Sequence, residues 1–235
     1  MFYQDIPRMY TAIAEWSACM VILISTRQGN IGKRTFVLLA VMVLGIQIAF
    51  LELTGNVPKS FWILCMAGAI GLMYLFLKVA GNFSWLNTGY SCAKAFLIAE
   101  FMASLEWQIF TFFQANGYGC TWLQILFTVM IYGSIFMVIW KIEKSFEKQN
   151  YLKEITGKEV LVSVGTAIVI FAFSNLSFVY SNLPFTSSFR PDIFFIRTLV
   201  DFAGIAVIVA GVAKVLLAPA VGILAAGIGC IILAI

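Results

Sequence analysis

The stretch TFVLLAVMVLGIQIAFLEL, Thr35 to Leu53, decides the fold class. Its only ionisable group is Glu52, and a helix of this length rises about 28 Å, close to the roughly 30 Å hydrocarbon core of a bilayer. Working outward, seven more apolar stretches follow the same pattern: Tyr10–Thr26, Phe61–Leu77, Trp85–Phe113, Trp122–Trp140, Val160–Tyr180, Ile193–Ala213 and Val215–Ile235. The fourth in chain order, Trp85–Phe113, is long enough to tilt or to begin in the interface. The last two are separated by Lys214 alone, so a single long helix broken near Ala218-Pro219 is the alternative there. The whole composition agrees: 62% of the 235 residues are hydrophobic and 11% are charged, against about 25% charged in a soluble domain. The expectation is an all-α, polytopic transmembrane bundle of about seven or eight helices in a cell membrane, with the lipid bilayer as its solvent.

Loop charges set the expected orientation, because lysine and arginine near helix ends favour the cytoplasmic side. Arg27, Lys33, Arg34, Lys78, Lys141, Lys144, Lys148, Lys153, Lys158 and Lys214 follow odd-numbered stretches, whereas Arg8, Lys59 and Arg190 fall on the other side. That asymmetry places the N-terminus outside. The first nine residues lack the basic segment, apolar core and small-residue cleavage site of a signal peptide, so the first helix reads as retained. The connector Lys141–Lys158 alternates lysine with Glu143, Glu147 and Glu154 and reads as a solvated helical extension and turn. Ser181–Asp192, with Pro184 and Pro191, reads as an outer loop ordered by turns.

The 235 residues contain no histidine. Cys19, Cys65, Cys92, Cys120 and Cys230 are scattered singly with no paired motif, so neither a metal site nor a cofactor is expected. The net charge of +4 follows topology, and no nucleic-acid partner is expected.

Ionisable side chains inside spanning segments cost at least a few kcal/mol each, which makes them functional candidates by default. They are Glu15, Glu52, Lys94, Glu100, Glu106, Arg197 and Asp201. With the N-terminus outside, Glu15, Glu52, Glu106, Arg197 and Asp201 fall at roughly one depth in the outer half of the membrane. Arg197 and Asp201, four apart, share a helix face and can pair. Trp16, Trp107, Gln47, Gln108 and Asn175 lie at similar or adjoining depths. Carboxylates, amides and indoles around an outward-facing cavity suit a cationic or amphipathic small molecule or peptide. The plainer alternative seats Glu52, Glu106, Trp16 and Trp107 in the interface. Lys94, Glu100 and Glu106 are spaced by six, about 240° per step, so they cannot line one stripe. Lys94 is expected to snorkel to the cytoplasmic interface, and Glu100, near mid-membrane, to need a partner or a proton. Ile13-Ala14-Glu15-Trp16 and Ile98-Ala99-Glu100-Phe101 echo each other on stretches of opposite direction, as an inverted repeat would. No comparable echo joins the other stretches, and four matched residues do not establish a repeat.

Several words in the chain are polar and aromatic enough to be distinctive. They are Asp5-Ile6-Pro7-Arg8 running into AIAEWSAC (Ala12–Cys19), Thr54-Gly55-Asn56-Val57-Pro58, FLIAEFMASLEW (Phe96–Trp107), FSNLSFV (Phe173–Val179) and IFFIRTLVD (Ile193–Asp201). Together they resemble the membrane sensor region of GHKL-type sensor histidine kinases of clostridia-like Gram-positive bacteria, over about residues 1–210. That resemblance implies a seven-helix input region leading into a cytoplasmic segment with a phosphoacceptor histidine and an ATP-binding domain. The chain departs from it after about Val209, where AGVAKVLLAPAVGILAAGIGCIILAI replaces the kinase core and Gly222, Ala226 and Gly227 suit close helix packing. Residues 211–235 read as an apolar tail and extra transmembrane helix, and autophosphorylation by these residues alone is excluded. A truncated or rearranged relative and a decoy receptor both fit that departure.

The functional expectation is a receptor or sensor module without enzymatic activity of its own. Its candidate ligand-binding residues are Glu15, Trp16, Glu52, Glu106, Trp107, Asn175, Arg197 and Asp201, and its partners a second copy or a separate kinase. The alternative is a small-solute transporter or permease component using Lys94 and Glu100 as a coupling site, and the plainest reading is a scaffold without a ligand.

Overall fold

Six of the eight apolar stretches fold as helices close to the expected limits. The computed structural model describes residues 6–26, 31–55, 57, 59–148, 155–181 and 202–206. The helices are α1 (Arg8–Thr26), α2 (Lys33–Thr54), α3 (Lys59–Gly81), α4 (Trp85–Ala115), α5 (Thr121–Lys148) and α6 (Gly157–Ser181). No strand occurs among the described residues. Of the seventh stretch only residues 202–206 are described, as a short helical segment; the eighth lies outside the described residues.

Local chemistry sets the boundaries. Ser84 Oγ accepts the amide of Asn87 at 3.2 Å and starts α4, and Asn82 just before it holds a positive φ of 53°, a conformation asparagine tolerates better than most residues. Gly117 turns the chain out of α4 with φ 84°. Before α6, Thr156 and Glu159 form a reciprocal capping box: the Thr156 amide donates to Glu159 Oε2 at 2.7 Å, and the Glu159 amide to Thr156 Oγ1 at 3.4 Å.

Among the described residues, five helices are long and apolar enough to cross a membrane: Arg8–Thr26, Lys33–Thr54, Ile63–Gly81, Trp85–Gln114 and Thr121–Lys144. The chain is therefore membrane-associated and multi-pass. How apolarity is distributed supports the same conclusion. The spanning window of α5 is only 11% buried and that of α2 22%, yet both are more apolar than α4, which is 67% buried. A water-soluble bundle would show the reverse order. Val37, Leu38, Val41, Met42, Leu126, Val129, Met130, Met137 and Val138 stand exposed on α2 and α5. Meanwhile Glu15, Gln47, Lys94, Glu106, Gln108 and Glu143 are buried. Apolar outside and polar inside is the arrangement hydrocarbon solvent favours.

The central helix is α4, packed against α1, α3, α5 and α6. Every residue from Tyr90 to Ala99 is buried. Small side chains let the backbones approach: Ser91, Ala95, Ala99 and Ala103 recur every fourth residue on α4, as do Ala14 and Ala18 on α1. Contacts between neighbours fix the directions. Trp16 meets Ala40 while Glu15 meets Gln47, Cys92 meets Ile70 while Trp85 meets Tyr74, and Lys94 meets Glu143 while Glu106 meets Thr128, which makes the α1–α2, α3–α4 and α4–α5 pairs antiparallel. Phe96 meets Phe171 at a tilt with ring centroids 5.5 Å apart, and Gly89 lies against Val160, so α4 and α6 run parallel. Lys33, Arg34, Lys78, Lys141, Lys144 and Lys158 consequently gather at one end of the bundle, here called the basic end. The 202–206 segment docks on α4 and α6 through Gly204, where an added Cβ would lie 1.8 Å from Ile170 Cδ1.

Candidate functional site

Away from the basic end, polar side chains join helices to one another. Glu15 lies on the α1 face shared with Ala18, Cys19, Ile22 and Thr26, all buried. Seven residues after Arg8, it sits about 10 Å into the helix. The Gln47 amide on α2 donates to Glu15 Oε2, and both side chains are 1% exposed. Each keeps one buried oxygen, Glu15 Oε1 and Gln47 Oε1, without a hydrogen-bond partner. Next along α1, the half-buried Trp16 donates its indole N–H to the Ala40 carbonyl of α2 at 2.8 Å. Adjacent residues of α1 thus tie it to α2 at two levels. From α4, Glu100 lies within electrostatic reach of Glu15.

A second polar contact joins α4 to α5 and α1. Glu106 is fully buried and accepts the Thr128 hydroxyl of α5 at 3.1 Å. Its Oε2 has no partner, and its charge acts on the hydroxyls of Tyr10 and Tyr132. The Tyr132 hydroxyl in turn donates to the Tyr10 carbonyl at 3.4 Å, closing α5 against the start of α1. Trp107 is buried beside Phe110, with ring centroids 5.7 Å apart, and Gln108 is buried with Oε1 unpaired. Glu106 and Trp107 are both buried within the bundle, Glu106 against Thr128 and Trp107 against Phe110.

Nearer the basic end the expectation for Lys94 needs correction. Its ammonium does not reach out to the interface but pairs with Glu143 of α5 at 2.7 Å, with the two side chains 5% and 2% exposed. The Tyr90 ring lies 5.1 Å from the same ammonium. Glu143, expected on a solvated extension, is drawn inward by that charge, although the helical extension itself continues to Lys148. Lys94 and Glu100 therefore serve different contacts on α4, as their six-residue spacing required.

Of the other candidates, Glu52 is exposed at the end of α2 and makes no part of these seams. Asn175 is a position of α6 whose side chain, like Arg197 and Asp201, lies outside the described residues. The structure thus brings Glu15 together with Gln47, and Glu106 with Thr128, as two polar contacts between helices. Sequence reading missed Thr128, Tyr132 and Glu143. Glu143 had a usable signal: the short turn at 116–120 makes α4 and α5 an antiparallel hairpin, and Lys94 and Glu143 lie about equally far from it.

No group of three or more histidine, cysteine, aspartate or glutamate side chains suited to a metal occurs among the described residues. Comparisons with protein families, curated proteins and solved structures give no match. What this arrangement can do chemically is bind, exchange hydrogen-bond partners and change helix packing.

Proposed function

We propose that this chain is a membrane receptor or sensor module, which receives a signal at the end opposite the basic one and passes a helix rearrangement to a partner. The observation that carries the reading is that Glu15 and Glu106 are held between different helices, each with one oxygen unpaired. Polar groups that bond across seams in a low-dielectric bundle have few alternative arrangements, so a ligand with differential affinity for two packings moves whole helices. The resemblance of residues 1–210 to the input region of sensor histidine kinases supports the same assignment. In this proposal the N-terminus is outside, about seven or eight helices span, the basic end is cytoplasmic, and catalysis belongs to a separate kinase.

Two measurements test it. Membrane-impermeant thiol labelling of cysteines placed at Gln4 and Lys153 in intact cells is expected to modify the first and spare the second. The reverse pattern would overturn the orientation. Proteoliposomes holding the purified protein are expected to show no solute flux above empty vesicles; flux abolished by Glu100→Gln would make the chain a transporter instead.

A further inference from the structure

The Glu15–Gln47 contact is half of a hydrogen-bonding arrangement. One bond is present, from the Gln47 amide to Glu15 Oε2, while Glu15 Oε1 and Gln47 Oε1 are buried acceptors with no donor. An ionised carboxylate offers acceptors only, as does the amide carbonyl, so these two oxygens have nothing to give each other. A single hydrogen between them changes that. A protonated carboxyl donates one O–H, and with the amide it closes a ring of two hydrogen bonds: N–H to one carboxyl oxygen, and O–H from the other to the amide carbonyl. The terminal torsions of glutamate and glutamine are broad, so the second bond requires little reorientation.

We propose that Glu15 and Gln47 form a proton-binding site in the α1–α2 seam, in which one proton taken from the aqueous phase converts the Glu15 carboxylate to a carboxyl bonded to the Gln47 carbonyl. The balance is simple: one proton enters, the site goes from one negative charge to none, and no other bond breaks. Protonation locks α1 to α2; release leaves two acceptor oxygens opposed and loosens the seam where Trp16 also crosses it. A proton fits better than a metal ion because two unpaired oxygens accommodate one hydrogen, whereas hard cations take about six oxygens or more.

The surroundings bear on its titration. On α1 itself Arg8 acts on Glu15 from the aqueous end, and the buried Cys19 lies on the other side. From α4, Glu100 and Cys92 are within electrostatic reach. From α5, Tyr132 faces α1 at the level of Tyr10, beside Glu106. The ionisable groups of α2 are Lys33, Arg34 and the exposed Glu52, and those of α3 are Lys59, Cys65, Tyr74 and Lys78; the groups that act on Glu15 are Gln47, Glu100 and Arg8. The inference concerns this seam and is independent of which signal the module receives.

Infrared difference spectroscopy of the whole protein in lipid nanodiscs, titrated with pH, tests the site. The expected result is a carboxyl carbonyl band that appears on acidification, is lost in Glu15→Gln, persists in Glu100→Gln and Glu106→Gln, and moves to higher frequency in Gln47→Met. The last variant keeps the test alive should Glu15→Gln fail to fold. A band retained in Glu15→Gln, or unmoved by Gln47→Met, overturns the proposal. So does a Gln47 amide band that responds to exchanging sodium for potassium at fixed pH while no carboxyl band titrates.

Discussion

Removing Glu143 should leave the Lys94 ammonium buried without a counter-charge in the middle of the helix bundle. The two groups are 2.7 Å apart with side chains 5% and 2% exposed, so neither can turn to water without repacking α4 against α5. Breaking such a pair costs about 3–5 kcal/mol, whereas replacing both members by apolar side chains of similar volume is often neutral or stabilising. At about 2–4 °C per kcal/mol for a chain of this size, Glu143→Met should lower the melting temperature by roughly 6–20 °C. Glu143→Gln should lower it less, because the amide oxygen still accepts a bond from Lys94. Lys94→Met combined with Glu143→Met should return stability to near the parent value. Tryptophan fluorescence during thermal unfolding in detergent or nanodiscs gives all four melting points. Single variants melting within about 2 °C of the parent would place the pair in the weak, surface class. A double variant no better than the worse single would mean that the pair is not an isolated charge-balancing unit.

Other contacts carry smaller, separable predictions. Thr128→Val removes the hydroxyl that Glu106 accepts and should cost about 1–3 kcal/mol, read as a lower thermal midpoint. Gly204→Val forces a Cβ into the space of Ile170 Cδ1 and should cost about 1–3 kcal/mol, with Ile170→Ala recovering part of it in the double variant. Thr156→Ala dismantles the capping box before α6 and should cost about 1 kcal/mol, with faster amide exchange confined to the first turn of that helix.

Helix positions were legible because their signal is length: six of the eight apolar runs near bilayer thickness are helices among the described residues. The centre of the bundle was harder to see. Its helix, α4, spreads polar residues around its circumference and so carries no amphipathic stripe, since other helices bury most of it. The spacing of Lys94, Glu100 and Glu106 implied that they do not line one stripe, yet Lys94 and Glu106 both meet α5 at different levels, and only the register of packing reveals Glu143 and Thr128. Lys94 illustrates the competition: snorkelling would keep its charge hydrated, but a carboxylate placed opposite by the α4–α5 hairpin holds it inside. Glu15 was legible as costly in the membrane, while its bond to Gln47 depends on how α1 lies along α2.

The proposed role itself is tested most directly by comparing transcript levels in the source organism after deletion of this chain and after Glu15→Ala in the intact gene. A sensor module predicts that both strains change a shared, narrow set of transcripts while solute uptake is unaltered. An unchanged transcript profile alongside loss of uptake of a specific solute would contradict the account.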